Sequence, residues 1–233
     1  MIDELLYEPK DAVKEKAIKI LLDIRSVVQN DDKEYVMNLT LKLAHDADEG
    51  NRISALKILN ECAQDMGQTL CECFIVPEIK SLGIDEEAKV RIEVARNLLN
   101  ISKIVSFDFF QQKIFPLYNE LTMDPEERVR KTCADAVAEI AKVSSVDKQA
   151  AQLSEVYYRF LKDKHSRLVR GTAFQNIGPF IAAFKNGNDI DPKIIDFYVN
   201  TTEASSNKDV CYHASFNFPA FVLVFGSDEW PRF

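Results

Sequence analysis

Four arginines, Arg52, Arg91, Arg130 and Arg170, follow one another at intervals of 39, 39 and 40 residues. An aspartate leads each by six or seven positions: Asp46, Asp85, Asp124 and Asp163. A constant period of this length restricts the chain to architectures that stack one small supersecondary unit many times, because a single such unit cannot bury its own apolar face. Arrays of that kind present surface and seldom enclose a reaction chamber.

With each arginine as position zero, Lys14 extends the column upstream and Cys211 downstream. Position +3 then reads Ala17, Ala55, Val94, Cys133, Ala173, Ala214, and position +7 reads Leu21, Leu59, Leu98, Val137, Ile177, Phe218. Position +10 reads Ile24, Cys62, Ile101, Ile140, Phe180, Phe221. Offsets of 3, 7 and 10 keep to one face of a 3.6-residue helix, so each unit ends in a second helix with a buried stripe. Small residues at +3 let neighbouring helices approach closely. The expectation is an all-α, right-handed α-α superhelix of the HEAT or armadillo kind. It would hold about six two-helix repeats of 39–41 residues in one solenoid over residues 1–233.

The first helix of each unit takes its apolar face from Ile75–Ile79, Ile114–Leu121 and Leu153–Leu161. Pro77 and Pro116, also 39 apart, fall in that helix and bend it or mark its first turn. The turn aspartates are placed to cap the second helix. An arginine at the start of that helix can bond within its own rung and to the next, so Asp46, Arg52, Asp85, Arg91, Asp124, Arg130, Asp163 and Arg170 form a structural ladder that sets the spacing of the stack. Gln64–Gln68, Ser144–Lys148 and Asn186–Asp191 read as short polar connections.

Seven glycines and 28% charged residues suit an all-helical chain with solvated faces. A net charge of −8 argues against nucleic acid or anionic lipid as the main ligand. The longest apolar run, Phe218 to Phe225, is too short to span a bilayer. Acidic residues at Asp3 and Glu4 do not fit a signal peptide. The five cysteines fall mostly on buried columns and read as reduced packing residues, which points to the cytoplasm and nucleus.

No enzyme chemistry is spelled out. Cys71 and Cys73 form a lone C-x-C pair, and His45, His165 and His213 belong to three different turns, so neither a metal nor a cofactor is expected. No phosphate-cradling glycine loop or nucleophile elbow occurs. What remains is surface. Polar residues at +2, +5 and +9 of the second helix, Glu93, Arg96 and Asn100, then Thr132, Asp135 and Glu139, then Thr172 and Gln175, would form a ribbon on the concave side. That ribbon reads either as a solvated helix face or as a docking track. The turns supply a second track, Asp48, Glu49, Glu86, Glu87, Glu126 and Glu127, switching to Lys164, His165 and Arg167. It suits a partner with a basic patch beside an acidic one, or it complements helix dipoles.

The stretch R-L-V-R-G-T-A-F-Q-N-I-G-P-F-I-A-A-F, Arg167 to Phe184, resembles the regulatory subunit 1 family of protein phosphatase 4. The resemblance rests on Val169-Arg170, Ala173-Phe174-Gln175 and Gly178-Pro179-Phe180-Ile181. Val129-Arg130-Lys131 with Cys133-Ala134, and Asn217-Phe218-Pro219 leading to Gly226 and Trp230, look similar too. It implies a non-catalytic HEAT subunit that binds the catalytic subunit of a type 2A-like serine/threonine phosphatase and directs it to substrates. The candidate partner-binding positions are Gln175 and Asn176 on the matched helix, with Arg96 and Asp135 on preceding rungs. The alternative is a generic HEAT adaptor, either like the type 2A phosphatase scaffold or karyopherin-like. The family's chains are much longer, so this one reads as a fragment, a short relative, or a chain completed by dimerisation.

Overall fold

The computed structural model describes residues 2–8, 10–25, 30–143, 146–204 and 207–226, and every described element is helical. Fourteen α-helices follow in order: α1 Ile2–Leu6, α2 Asp11–Arg25, α3 Asn30–Ala44, α4 Glu49–Leu70, α5 Val76–Leu82, α6 Ala88–Ile101, α7 Phe107–Phe109, α8 Phe115–Leu121, α9 Glu127–Val143, α10 Val146–Leu161, α11 Arg167–Gln175, α12 Ile177–Ile181, α13 Pro192–Ala204 and α14 Lys208–Phe225. They form two compact units, Met1–Leu117 and Tyr118–Phe233. In the first, α2, α4 and α6 pack side by side while α3 and α5 form the other layer. In the second, α9, the α11–α12 pair and α14 form one layer, and α10 and α13 form the other.

The repeat columns carry this packing. All six +3 residues are buried, from Ala17 to Ala214. At +7, burial holds from Leu21 to Ile177 but not at Phe218, which is half-buried because Asn217 takes the inward place on α14. Ile24, first in the +10 column, lies outside the residues whose side chains are described. Cys62, Cys71 and Cys133 are buried, while Cys73 and Cys211 are exposed. Burial pushes the Cys71 thiol up to about 11 and that of Cys133 further, so both stay protonated and act as small apolar residues.

The prolines act as expected and add a detail. Each follows a five-residue π turn, Cys71–Ile75 before Pro77 and Phe110–Ile114 before Pro116. A proline ring collides with the carbonyl four residues back and donates nothing to it. Widening the preceding turn relieves the clash, and the N–H of Val76 and of Phe115 bond five residues back, to the carbonyls of Cys71 and Phe110. α10 has no proline and no π turn. Upstream of the first π turn the Gln64–Gln68 connection reduces to one residue: Gly67, at φ 74° and ψ 176°, breaks α4 in a region a side chain would strain. The Asn186–Asp191 connection holds one 3-10 turn, Gly187–Asp189, started by the Asn186 side chain. Ser144 and Ser145, at the start of the Ser144–Lys148 connection, lie outside the described residues.

One repeated device escaped the sequence reading. Tyr118, Tyr157 and Tyr198, fully or nearly fully buried on first helices, donate their hydroxyls to the carbonyls of Cys133 (2.8 Å), Ala173 (2.6 Å) and Ala214 (2.8 Å). Those acceptors are the +3 residues. Their small side chains therefore do more than admit a neighbouring helix: they leave a backbone oxygen uncovered. The signal was available, since the tyrosines lie 39 and 41 apart. Tyr157 also stacks on Phe180 with ring centroids 3.9 Å apart. Tyr157→Phe keeps that stack and removes only the hydroxyl's hydrogen bond, so chemical denaturation should show a loss of about 1 kcal/mol.

Candidate partner-binding surface

The arginine ladder fixes how second helices present their faces. Arg52 donates Nε and Nη2 to the Asp85 carboxylate at 2.7 and 2.9 Å, one rung on. Arg130 does the same to Asp163 at 2.7 and 3.2 Å. In each case Nη1 turns back to its own loop, bonding the carbonyls of Asp46 and Ala47, or of Asp124 and Pro125. Arg91 closes its loop likewise through Asp85 and Glu86, and Arg170 through the Asp163 carbonyl. The expected pairing within and between rungs is therefore present for Arg52 and Arg130. Lys14 varies the theme, donating to Asn51 Oδ1 at 2.8 Å and to Asp48 at 3.4 Å.

The capping role assigned to the aspartates needs correcting. Asp46, Asp85 and Asp124 accept from the backbone N–H two residues on, those of Asp48, Glu87 and Glu126. Asp163 accepts from His165 and Ser166. They tie the turn, while the helix caps are Asp48, bonded by Asn51 N–H, and Ser166, bonded by Val169 N–H. The reason is spacing: a carboxylate six or seven residues before the arginine sits two or three residues before the N-cap position and reaches the turn's N–H groups instead.

On α6, α9 and α11 the expected polar positions lie outside the core, with one exception. Arg96 is exposed and donates to Glu93 at 2.9 Å; Lys57, at the same register position on α4, pairs with Glu15 at 3.3 Å. Asn100 donates to Asn60 Oδ1 at 3.1 Å. Beside α2 and α4 lies a groove of about 360 Å³ whose lining is polar at Glu15, Lys19, Lys57, Asn60, Glu61 and Glu93 and apolar at Ile18 and Leu22. In the second unit Asp135 is exposed and pairs with Lys131 at 2.5 Å, and Gln175 is exposed with its amide nitrogen 3.3 Å from His213 Nε2. Thr172, expected on this face, is instead buried. Asn176 is half-buried at the break between α11 and α12, and its backbone N–H bonds the carbonyls of Thr172 and Ala173. Arg96, Asp135 and Gln175 thus share one register position, five after the arginine, and Asn176 neighbours it. The turn-ridge acids Glu86, Glu87 and Glu127 are exposed, as are Lys164, His165 and Arg167.

The break at Asn176 is held from the next rung. Pro179 offers no N–H to the Gln175 carbonyl, and Gly178 turns its N–H away from the helix to Asn217 Oδ1 at 3.0 Å. Asn217 Nδ2 in return reaches the carbonyls of Phe174 (3.3 Å), Gln175 (3.2 Å) and His213 (2.8 Å). A Cβ on Gly178 would lie 2.4 Å from Asn217 Oδ1, so only glycine fits. Asn97, six after Arg91 as Asn217 is six after Cys211, likewise donates to the Leu56 carbonyl at 2.9 Å. The role of Asn217 shows only in these hydrogen bonds, since its acceptors are backbone carbonyls.

Among the described residues no group of three His, Cys, Asp or Glu side chains could hold a metal ion. No described helix is long and apolar enough to cross a membrane.

Comparison with known proteins agrees with this geometry. A HEAT repeat model matches residues 114–144, which hold α8, α9 and the turn between them. No curated protein matches the chain. Among solved structures, a mutant of Kap121p superposes with TM-score 0.72 at 13% identity, over 99% of this chain and 24% of that one. Kap121p bound to Pho4p gives 0.71 at 13%, over 99% and 23%. A designed armadillo repeat protein in complex with the peptide (KR)4 gives 0.60 at 20%, over 94% and 98%. The chain thus spans about a quarter of the Kap121p chain it matches. It contains a HEAT repeat and has the fold of armadillo-type and karyopherin-like helical-repeat scaffolds.

Proposed function

We propose that this chain is a non-catalytic protein-binding scaffold whose partner is the catalytic subunit of a phosphatase 4-type serine/threonine phosphatase. One observation carries the scaffold reading. Buried arginine–aspartate forks and the Asn217 clip fix the backbone, while the +5 position of successive second helices is left outside the core with a charged or amide group: Lys57, Arg96, Asp135 and Gln175. Within each unit, a backbone held by such bonds with adaptable polar tips suits recognition of a folded protein surface. The phosphatase partner rests on the resemblance. Two of the segments it rests on, Gly178-Pro179 and the Asn217-Phe218-Pro219 step, meet in one hydrogen-bonded device. A karyopherin-like adaptor is the second reading, favoured by the superposition on Kap121p.

Affinity purification with mass spectrometry from the source organism separates them. The phosphatase reading expects a type 2A-like catalytic subunit enriched together with the chain. Transport cargo without any phosphatase subunit would replace it with the adaptor reading.

A further inference from the structure

Of the seven glycines, one alone follows an asparagine: Asn186-Gly187, in the connection between α12 and α13. A peptide nitrogen can attack the side-chain amide of the asparagine before it, and glycine, lacking a Cβ, leaves that approach open. Each letter of the pair has a structural reason. Gly187 is buried, and a Cβ there would lie 2.4 Å from the Phe225 ring, so any side chain would displace the ring. Asn186 starts the turn, its Oδ1 accepting from Asn188 N–H at 3.0 Å.

The same contacts hold the reacting atoms apart. Asn186 is extended, at ψ 132°, which turns the Gly187 nitrogen away from the side-chain amide. Closing a ring between them requires ψ on the negative side. Reaching it would break the Oδ1 bond and pull the Asn186 carbonyl off Asp189 N–H, now at 3.1 Å. It would also pull the Gly187 carbonyl off Ile190 N–H, at 3.2 Å, and unseat Gly187 from Phe225.

We propose that Asn186 is a site of spontaneous deamidation, gated by local opening of the α12–α13 connection. The Gly187 nitrogen bonds to Asn186 Cγ, the bond from Cγ to the side-chain nitrogen breaks, and ammonia leaves with the Gly187 proton. Water then opens the succinimide. Attack at Cγ gives aspartate, and attack at the main-chain carbonyl gives isoaspartate. Nothing is oxidised or reduced. The reaction needs only water and local freedom of the chain, not a free surface, and the proposal is independent of the phosphatase reading. Aspartate keeps the turn's acceptor and adds one negative charge. Isoaspartate inserts a carbon into the main chain, so the turn does not re-form and Gly187 loses its seat against Phe225.

The test ages the folded chain, the urea-denatured chain and a synthetic peptide of residues 185–191 side by side at mildly alkaline pH. Conversion is read at Asn186 by peptide mapping, as a gain of one mass unit, and by enzymatic methylation of isoaspartate. In the peptide and the denatured chain Asn186 should convert before any other asparagine. In the folded chain it should convert at least tenfold more slowly. Phe225→Ala, which unseats Gly187, should speed conversion several-fold, as should urea too dilute to reduce the helical signal. Asn186→Ser, whose hydroxyl can hold the turn, should give no isoaspartate at this position. If Phe225→Ala does not fold, the dilute-urea series decides. Conversion of the folded chain as fast as the peptide would overturn the gate. Conversion that rises only as the helices melt would overturn its local nature, and a denatured chain that ages first at another asparagine would overturn the site.

Discussion

Arg130→Ala is expected to destabilise the protein by about 3 kcal/mol, the cost of stranding one member of a buried ion pair. The pair is nearly enclosed, with side-chain exposures of 10% for Arg130 and 9% for Asp163, and the same guanidinium ties the carbonyls of Asp124 and Pro125. For a chain of this size that corresponds to roughly 6–12 °C in Tm. Arg130→Lys keeps the charge but not the fork, and should recover only part of the loss. Arg96→Ala removes a pair whose arginine is 62% exposed and should change stability by less than about 0.5 kcal/mol.

Acid sensitivity follows from the same pair. Burial pushes the Asp163 carboxyl up, but hydrogen bonds from Arg130 and from the His165 and Ser166 N–H groups outweigh it and hold the pKa below the usual value. A carboxylate depressed in the folded state contributes stability above its unfolded pKa, near 3.9, and loses it as pH falls through the folded value. Wild-type stability should therefore drop below about pH 4, and Arg130→Ala should drop less steeply. Urea melts across that range read both effects.

Asn217→Ala is expected to cost about 2–3 kcal/mol. The side chain is buried, accepts from Gly178 N–H and donates to three carbonyls, so truncation leaves buried backbone groups without partners at about 1–3 kcal/mol for such loss. Gly178→Ala attacks the same clip by collision with Asn217 Oδ1. The two substitutions act on one device, so the double variant should cost clearly less than the sum of the singles. Additive costs in a denaturation series would show that the clip is not a unit.

The layers were legible because burial imposes a strict register on a repeat: +3 stays buried in every unit. The ladder was legible for Arg52 and Arg130 because a fork and a carboxylate at fixed offsets have few other partners. Three things were hidden. The turn role of Asp85 and Asp124 depends on local hydrogen bonds that a period of 39 does not encode. Thr172 looks polar by composition, yet α11 turns it inward. The tyrosines repeat visibly at 39 and 41 residues, but the acceptors of their hydroxyls are backbone carbonyls, which carry no letter in the sequence. Of the surface candidates, Arg96, Asp135 and Gln175 share a register position on exposed faces, whereas Asn176 lies at the helix break, where backbone geometry decided its place.

The most direct test is calorimetric titration of the purified catalytic subunit of a phosphatase 4-type enzyme into this chain, with Asp135→Lys in parallel. Asp135 is exposed, so the substitution should leave Tm within about 2 °C. The expected result is saturable 1:1 binding that Asp135→Lys weakens at least tenfold. No binding, or binding that Asp135→Lys leaves unchanged, would contradict a phosphatase scaffold that works through its second-helix face.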